Sequence, residues 1–128
     1  MSDHNPPTVL VVEDDAGVRT LIETVLEAAG CRVISARDGL EGLVKLRGHE
    51  PAVLVLDIMM PDVGGLRVLD ELAQEHANVA VVVVTGKPDA AQAARDRLGD
   101  ASVFAKPFDI DQLAERVTTL AANTAGDA

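Results

Sequence analysis

Tryptophan and tyrosine are absent from this chain, and Phe104 and Phe108 are its only aromatic residues. That removes the usual stacking platform for nucleobases or a flavin ring. Cysteine is reduced to Cys31, so no disulfide can close within the chain. At the start of an apolar run, Cys31 reads as a small core residue rather than a redox sensor. Positive charge is scarce: 11 Lys and Arg stand against 21 Asp and Glu, for a formal net charge of −10. A direct nucleic-acid footprint needs a basic face, and so does docking on an anionic membrane, which speaks against both. No apolar run approaches the roughly 20 residues of a membrane span. The opening MSDHNPP carries neither the basic region nor the apolar core of a signal peptide. The expectation from these absences is a soluble cytoplasmic protein.

What is present is enough for one domain with a proper core: 128 residues, 48% of them apolar. Residues 1–7 are expected to be a flexible lead-in, 8–122 the folded domain and 123–128 a flexible tail. Within the domain, Thr8 to Val12 is an apolar β-branched run, followed at once by Glu13, Asp14 and Asp15. Ala16 to Ala29 carries Val18, Leu21, Ile22, Val25 and Leu26 at helical spacing, and Gly30 supplies the stop. Cys31 to Ala36 reads as a second strand. Asp38 can cap a helix bearing Leu40, Leu43, Val44 and Leu46 and ending near Gly48.

The most informative stretch runs from Pro51 to Gly65. Ala52 to Leu56 is continuously apolar and ends on one carboxylate, Asp57, followed by Met59, Met60, a proline and a glycine pair. Such a run, bounded by turn residues, predicts a strand buried on both faces. Leu66 to His76 predicts a third helix, with Leu66, Leu69, Leu72 and Ala73 on one side. Val79 to Val84 predicts the fourth strand, closed by Thr85, Gly86 and Lys87, and Pro88 suits the first turn of the helix that follows. That helix is mostly Ala, Gln, Arg and Asp as far as Leu98 and should be the most weakly anchored. Ala101 to Ala105 predicts a short fifth strand before Lys106, Pro107 and Phe108. Asp109 then starts a last helix with Ile110, Leu113, Val117 and Leu120 inward, and the tail after Ala122 is expected to fray.

Strands alternating with helices at this spacing predict an α/β fold, a doubly wound parallel five-stranded sheet with helices on both faces. In such a sheet the carboxyl ends of all strands face one crevice. Glu13 and Asp14 follow the first strand, Asp57 the third, Thr85 the fourth and Lys106 the fifth. Three crowded carboxylates repel unless a cation neutralises them. With no His or Cys beside them the donor set is all oxygen, which selects a hard cation, and Mg²⁺ suits a sparse set completed by water or phosphate. Lysine offers a positive point charge for a phosphoryl oxygen and threonine a hydrogen-bond donor. These are the parts of phosphoryl transfer. A Gly-rich phosphate loop is missing, so a carboxylate is the expected acceptor, and Asp57 is the best placed.

The segments LVVED, LVLDIMMPDVGG, VVVVTG and FAKPF, in that order at four strand ends, resemble the receiver (CheY-like) domain of bacterial two-component response regulators. The likeness covers about Thr8 to Ala122. It implies a single-domain (βα)5 flavodoxin-like fold with strand order 2-1-3-4-5. It implies a signalling switch rather than an enzyme, with Asp57 taking a phosphoryl group from a sensor histidine kinase or a phosphotransfer protein. Asp14 and Asp57 would ligate Mg²⁺ directly, the backbone carbonyl of Met59 would be a third ligand, and Glu13 would act mainly through water. Lys106 would pair with Asp57 or its phosphate through a cis Lys106–Pro107 bond. Thr85, followed by Gly86, would turn inward to the phosphate. The signal would pass to a downstream protein target or to an output domain outside this sequence.

Two positions depart from the family pattern. The first acid, often Asp, is Glu13. The switch aromatic, usually three residues before the lysine, is Val103, and Phe104 one position later should point to the opposite face of the strand. Asp15 is expected to cap the first helix. His4, His49 and His76 are scattered in polar contexts and suit neither a ligand set nor a phosphoryl carrier. Met59 and Met60 read as packing beside the site.

Three other functions compete. An aspartyl-nucleophile, Mg²⁺-dependent phosphatase of the haloacid dehalogenase type wants an acid two residues after the nucleophile, where this chain has Met59. A flavin-binding flavodoxin-like module wants a Ser/Thr-rich loop where Glu13, Asp14 and Asp15 stand. A receiver-like scaffold that is never phosphorylated would have no need of the intact acidic set.

Overall fold

In the computed structural model, which describes residues 6–58, 70–71 and 78–126, the alternation is realised as a five-stranded sheet. The strands are β1 (Thr8–Val12), β2 (Arg32–Ala36), β3 (Val53–Asp57), β4 (Ala80–Thr85) and β5 (Val103–Ala105). All pairings are parallel, in the order β2-β1-β3-β4-β5. Four helices are present among the described residues: α1 (Ala16–Ala28), α2 (Gly39–His49), α3 (Pro88–Leu98) and α4 (Ile110–Gly126). The predicted helix over Leu66 to His76 lies outside the described residues, except that Asp70 and Glu71 are helical.

Local chemistry explains the element ends. Asp15 caps α1 by accepting from the N–H of Val18 at 3.0 Å, and Asp38 caps α2 by accepting from Glu41 at 2.8 Å. Glu41 in turn accepts from the N–H of Arg37 at 2.7 Å, which ties the turn before the cap to the first helical turn. Burying its charge would work against that bond, but the Arg37 N–H dominates and holds the Glu41 carboxyl below its usual range. Gly30, at φ 97°, takes the left-handed turn after α1 that a side chain would resist. Pro88 occupies the first turn of α3.

The sheet separates two apolar layers because successive strand residues point to opposite faces. Leu10, Val12, Leu54, Leu56 and Val83 pack with Leu43 and Leu46 of α2 and Ala91 and Ala94 of α3. Val9, Val11, Val53, Val55, Val82 and Val84 pack with Ile22 and Leu26 of α1 and Leu113 and Val117 of α4. Every residue of β3 is buried, as expected of a central strand covered on both sides. The fully buried side chains of α3 are Ala91 and Ala94 alone, which bears out its weak apolar anchoring.

The structure moves three boundaries. β5 begins at Val103 rather than Ala101, because Gly99 at φ 86° leads into a 3-10 turn over Asp100–Ser102. The third strand extends through Asp57, which pairs with Val84, so the carboxylate is the last residue of the strand itself. α4 continues past Ala122 to Gly126.

Candidate functional site

The carboxyl ends of β1, β3 and β5 converge on a cleft of about 410 Å³ lined by Glu13, Asp14, Asp15, Asp57, Gly86, Lys87 and Lys106. Parallel register does this work. Val12 is level with Leu56 and Val83 lies beside Leu56, so the residues that follow each strand emerge at one edge. The β1–α1 turn is pinned on several sides. The Glu13 N–H donates to the Ala36 carbonyl at 3.1 Å, and the Glu13 carbonyl accepts from Arg19 Nη1 at 2.9 Å. Glu13 Oε2 accepts from the N–H of Asp15 at 3.2 Å.

Glu13 and Asp57 are buried, at 0% and 3% exposure, whereas Asp14 between them in the cleft is exposed. One carboxylate oxygen from each of the three lies within 4.8 Å of the others. Lys106 reaches into the group. Its Nζ lies 3.0 Å from Glu13 Oε1 and donates to Asp57 Oδ2 at 3.4 Å. Burial raises the Glu13 carboxyl from 4.5 to about 7, the Asp57 carboxylate beside it adds to the shift, and Lys106 with the Asp15 N–H offsets part of it. Burial opposes the charge on Lys106, but hydrogen bonding to Glu13 and the charges of Asp57 and Glu13 outweigh it and raise the ammonium's pKa.

The donors suit a small hard cation. All three are carboxylates, one is exposed to water, and the buried Glu13 Oε1 is met by the Lys106 ammonium. Met59, whose carbonyl is the other expected ligand, lies outside the described residues, as does Met60.

The other expected residues are distributed unevenly. Gly86 lines the cleft, and Lys106–Pro107 is cis. Thr85 is fully buried and is not part of the cleft lining; its Oγ1 accepts from the N–H of Lys87 at 3.1 Å. The Lys106 N–H donates to the Thr85 carbonyl at 2.7 Å, which joins the ends of β4 and β5. Val103 pairs with Val83 and is buried on the α2–α3 side of the sheet, while Phe104 packs on the α1–α4 side, edge-on to Phe108 at 6.5 Å. Phe104 therefore does not occupy the place an aromatic at 103 would take.

Three residues stand at this site beyond the ligands that the sequence suggested. Asp15 lines the cleft as well as capping α1. Lys87 lines it from the start of α3. Arg19 holds the Glu13 carbonyl, a role its place early in α1 could have suggested.

A family profile for the "Response regulator receiver domain" matches residues 9–118. This chain belongs to that family. The receiver is 33% identical to a probable transcriptional regulatory protein, TcrX, of Mycobacterium tuberculosis, across 96% of this chain and 53% of that protein. It thus spans about half the length of that curated relative. It is 32% identical to sporulation initiation phosphotransferase F of Bacillus subtilis, across 85% of this chain and 89% of that one. Among solved structures it resembles the response regulator TrrA of Thermotoga maritima in complex with Mg²⁺ and BeF, with TM-score 0.80 and 27% identity over 89% of this receiver and 98% of that chain. Among the described residues, no helix is long and apolar enough to cross a membrane.

Proposed function

We propose that this receiver is a Mg²⁺-dependent phosphoacceptor switch in which Asp57 carries the phosphoryl group. The observation that carries the reading is the placement of one buried carboxylate, Asp57, within reach of two further carboxylates and a lysine at the open end of a parallel sheet. An Asp57 oxygen attacks the phosphorus of a phosphohistidine on a sensor kinase or phosphotransfer protein. The phosphorus–nitrogen bond breaks and its electron pair stays with the imidazole. Later a water attacks the same phosphorus, the bond to Asp57 breaks, and inorganic phosphate leaves with the carboxylate restored.

Asp14 and Asp57 would hold the cation directly, with the Met59 carbonyl, and Glu13 through water. When bound, Mg²⁺ supplies the positive charge that lets crowded acids and a phosphoryl group share one cleft. Lys106 then neutralises a phosphoryl oxygen, and Thr85 and Gly86 form the part of the β4–α3 loop that senses it. The switching unit is residues 8–122, and its last helix runs on to Gly126. It works in the cytoplasm and passes its state to a downstream protein or to an output domain. The phosphotransferase name of the Bacillus relative and the Mg²⁺–BeF complex of the Thermotoga neighbour support this reading.

Incubation with acetyl phosphate and Mg²⁺, followed by intact mass, tests it. A single phosphoryl gain is expected, dependent on Mg²⁺ and lost in Asp57→Asn. Unchanged labelling of that variant overturns the assignment.

A further inference from the structure

The cleft holds a second cation that the proposed reaction leaves unused. Four carboxylates line it, from Glu13, Asp14, Asp15 and Asp57, together with two ammonium groups, from Lys87 and Lys106. Lys106 is engaged by Glu13 and Asp57. Lys87 is exposed, and among the described residues its side chain enters no ion pair. It is an ammonium on a flexible four-carbon stem, rooted at the rim of the cleft.

Its backbone is tied to the same loop. The Lys87 N–H donates to Thr85 Oγ1 at 3.1 Å, and Lys87 is the residue before α3, whose first turn has no side-chain cap. A turn of the Thr85 hydroxyl toward Asp57 would release that N–H, so Thr85 and Lys87 cannot respond independently.

Phosphorylation replaces one negative charge on Asp57, which lines the cleft, with about two. Lys106 is already shared between two buried acids, and of the two cations lining the cleft Lys87 is the one without an ion pair among the described residues. The geometry points to Lys87 as a second phosphate ligand, closing over the phosphoryl oxygens from the start of α3 and drawing that helix end toward the site. This rests on Asp57 being the phosphoacceptor.

Paired titrations of wild type, Lys87→Ala and Lys87→Arg by calorimetry test it, with Mg²⁺ alone and with beryllofluoride in saturating Mg²⁺. Removing a positive charge from the rim should leave Mg²⁺ binding unchanged or slightly tighter, since like charges no longer repel. The same change should weaken beryllofluoride by roughly threefold or more, as loss of an ion pair to a charged ligand does. Lys87→Arg should retain most of the wild-type affinity. Opposite responses of the two ligands separate a phosphate contact from general damage to the fold. Beryllofluoride affinity unchanged in Lys87→Ala, or Mg²⁺ and beryllofluoride weakened together, overturns the assignment. A wild type that binds Mg²⁺ but never beryllofluoride overturns instead the reading of Asp57 on which it rests.

Discussion

Lys106 Nζ lies 3.0 Å from Oε1 of Glu13, a fully buried carboxylate oxygen. The pair brings a charge from the end of β5 onto an acid from the end of β1, across the intervening Asp57. It shows how the site limits its own repulsion: one lysine is shared between two buried acids, and Glu13 is pushed toward its neutral form by burial.

The first prediction concerns pH. Glu13 has its folded pKa raised from 4.5 to about 7, so the folded state holds its proton more tightly than the unfolded state. Its contribution to stability is complete below 4.5 and is lost as pH rises through 7. In Mg²⁺-free buffer, Glu13→Gln should therefore gain stability relative to wild type between pH 4.5 and 7.5. Urea titrations across that range check it; a constant difference between the two proteins would contradict the shift. Lys106→Met should behave in the opposite sense, costing about 1–3 kcal/mol at pH 8 and less at pH 5, where Glu13 keeps its proton.

The second concerns metal. A ligand that binds only the folded state adds RT ln(1 + [L]/Kd), about 1.4 kcal/mol at tenfold excess over Kd. Millimolar Mg²⁺ should raise the melting temperature of wild type. Asp14→Ala should lose that rise and acetyl phosphate labelling together, because Asp14 is the exposed carboxylate of the three. A melting temperature indifferent to Mg²⁺ in wild type would remove the basis for the metal site.

The third concerns how the switch is transmitted. Val103 has little bulk and packs against the α2–α3 layer, while Phe104 faces the opposite layer. Helix α3 buries only alanines completely, which makes it the least costly of the described helices to displace. Hydrogen exchange with and without beryllofluoride should change mainly between Thr85 and Leu98. A response confined to β5 and α4, abolished by Val103→Ala but not by Thr85→Ala, would place the coupling elsewhere.

The fourth concerns α2. A Cβ added at Gly42 would lie 2.8 Å from Cγ2 of Val12, and Val12 immediately precedes Glu13. Gly42→Ala gains up to about 1 kcal/mol of helix propensity but forces α2 off β1, which typically costs about 1–3 kcal/mol. The expected outcome is a net loss of stability with weakened Mg²⁺ binding, read by chemical denaturation and calorimetry. Gly48→Ala on the same helix meets nothing within 4 Å and serves as the control that should be neutral or stabilising.

The sequence by itself determined the order of strands and helices, the caps at Asp15 and Asp38, Pro88 in the first turn of α3, and the gathering of Glu13, Asp14, Asp57 and Lys106 at one end of the sheet. These are legible because periodicity and capping are local, and a parallel sheet sends every strand end to the same edge. It also placed Val103 and Phe104 on opposite faces, since a strand alternates by one residue. Only the tertiary structure decided that Glu13 is buried while its neighbour Asp14 is exposed, and that Lys106 serves two acids at once. It alone brought Asp15 and Lys87 into the cleft lining and turned Thr85 Oγ1 toward the Lys87 N–H. These depend on the depth at which each turn leaves the sheet and on which side chains meet across strands far apart in the chain, and neither quantity is encoded in any local window of residues.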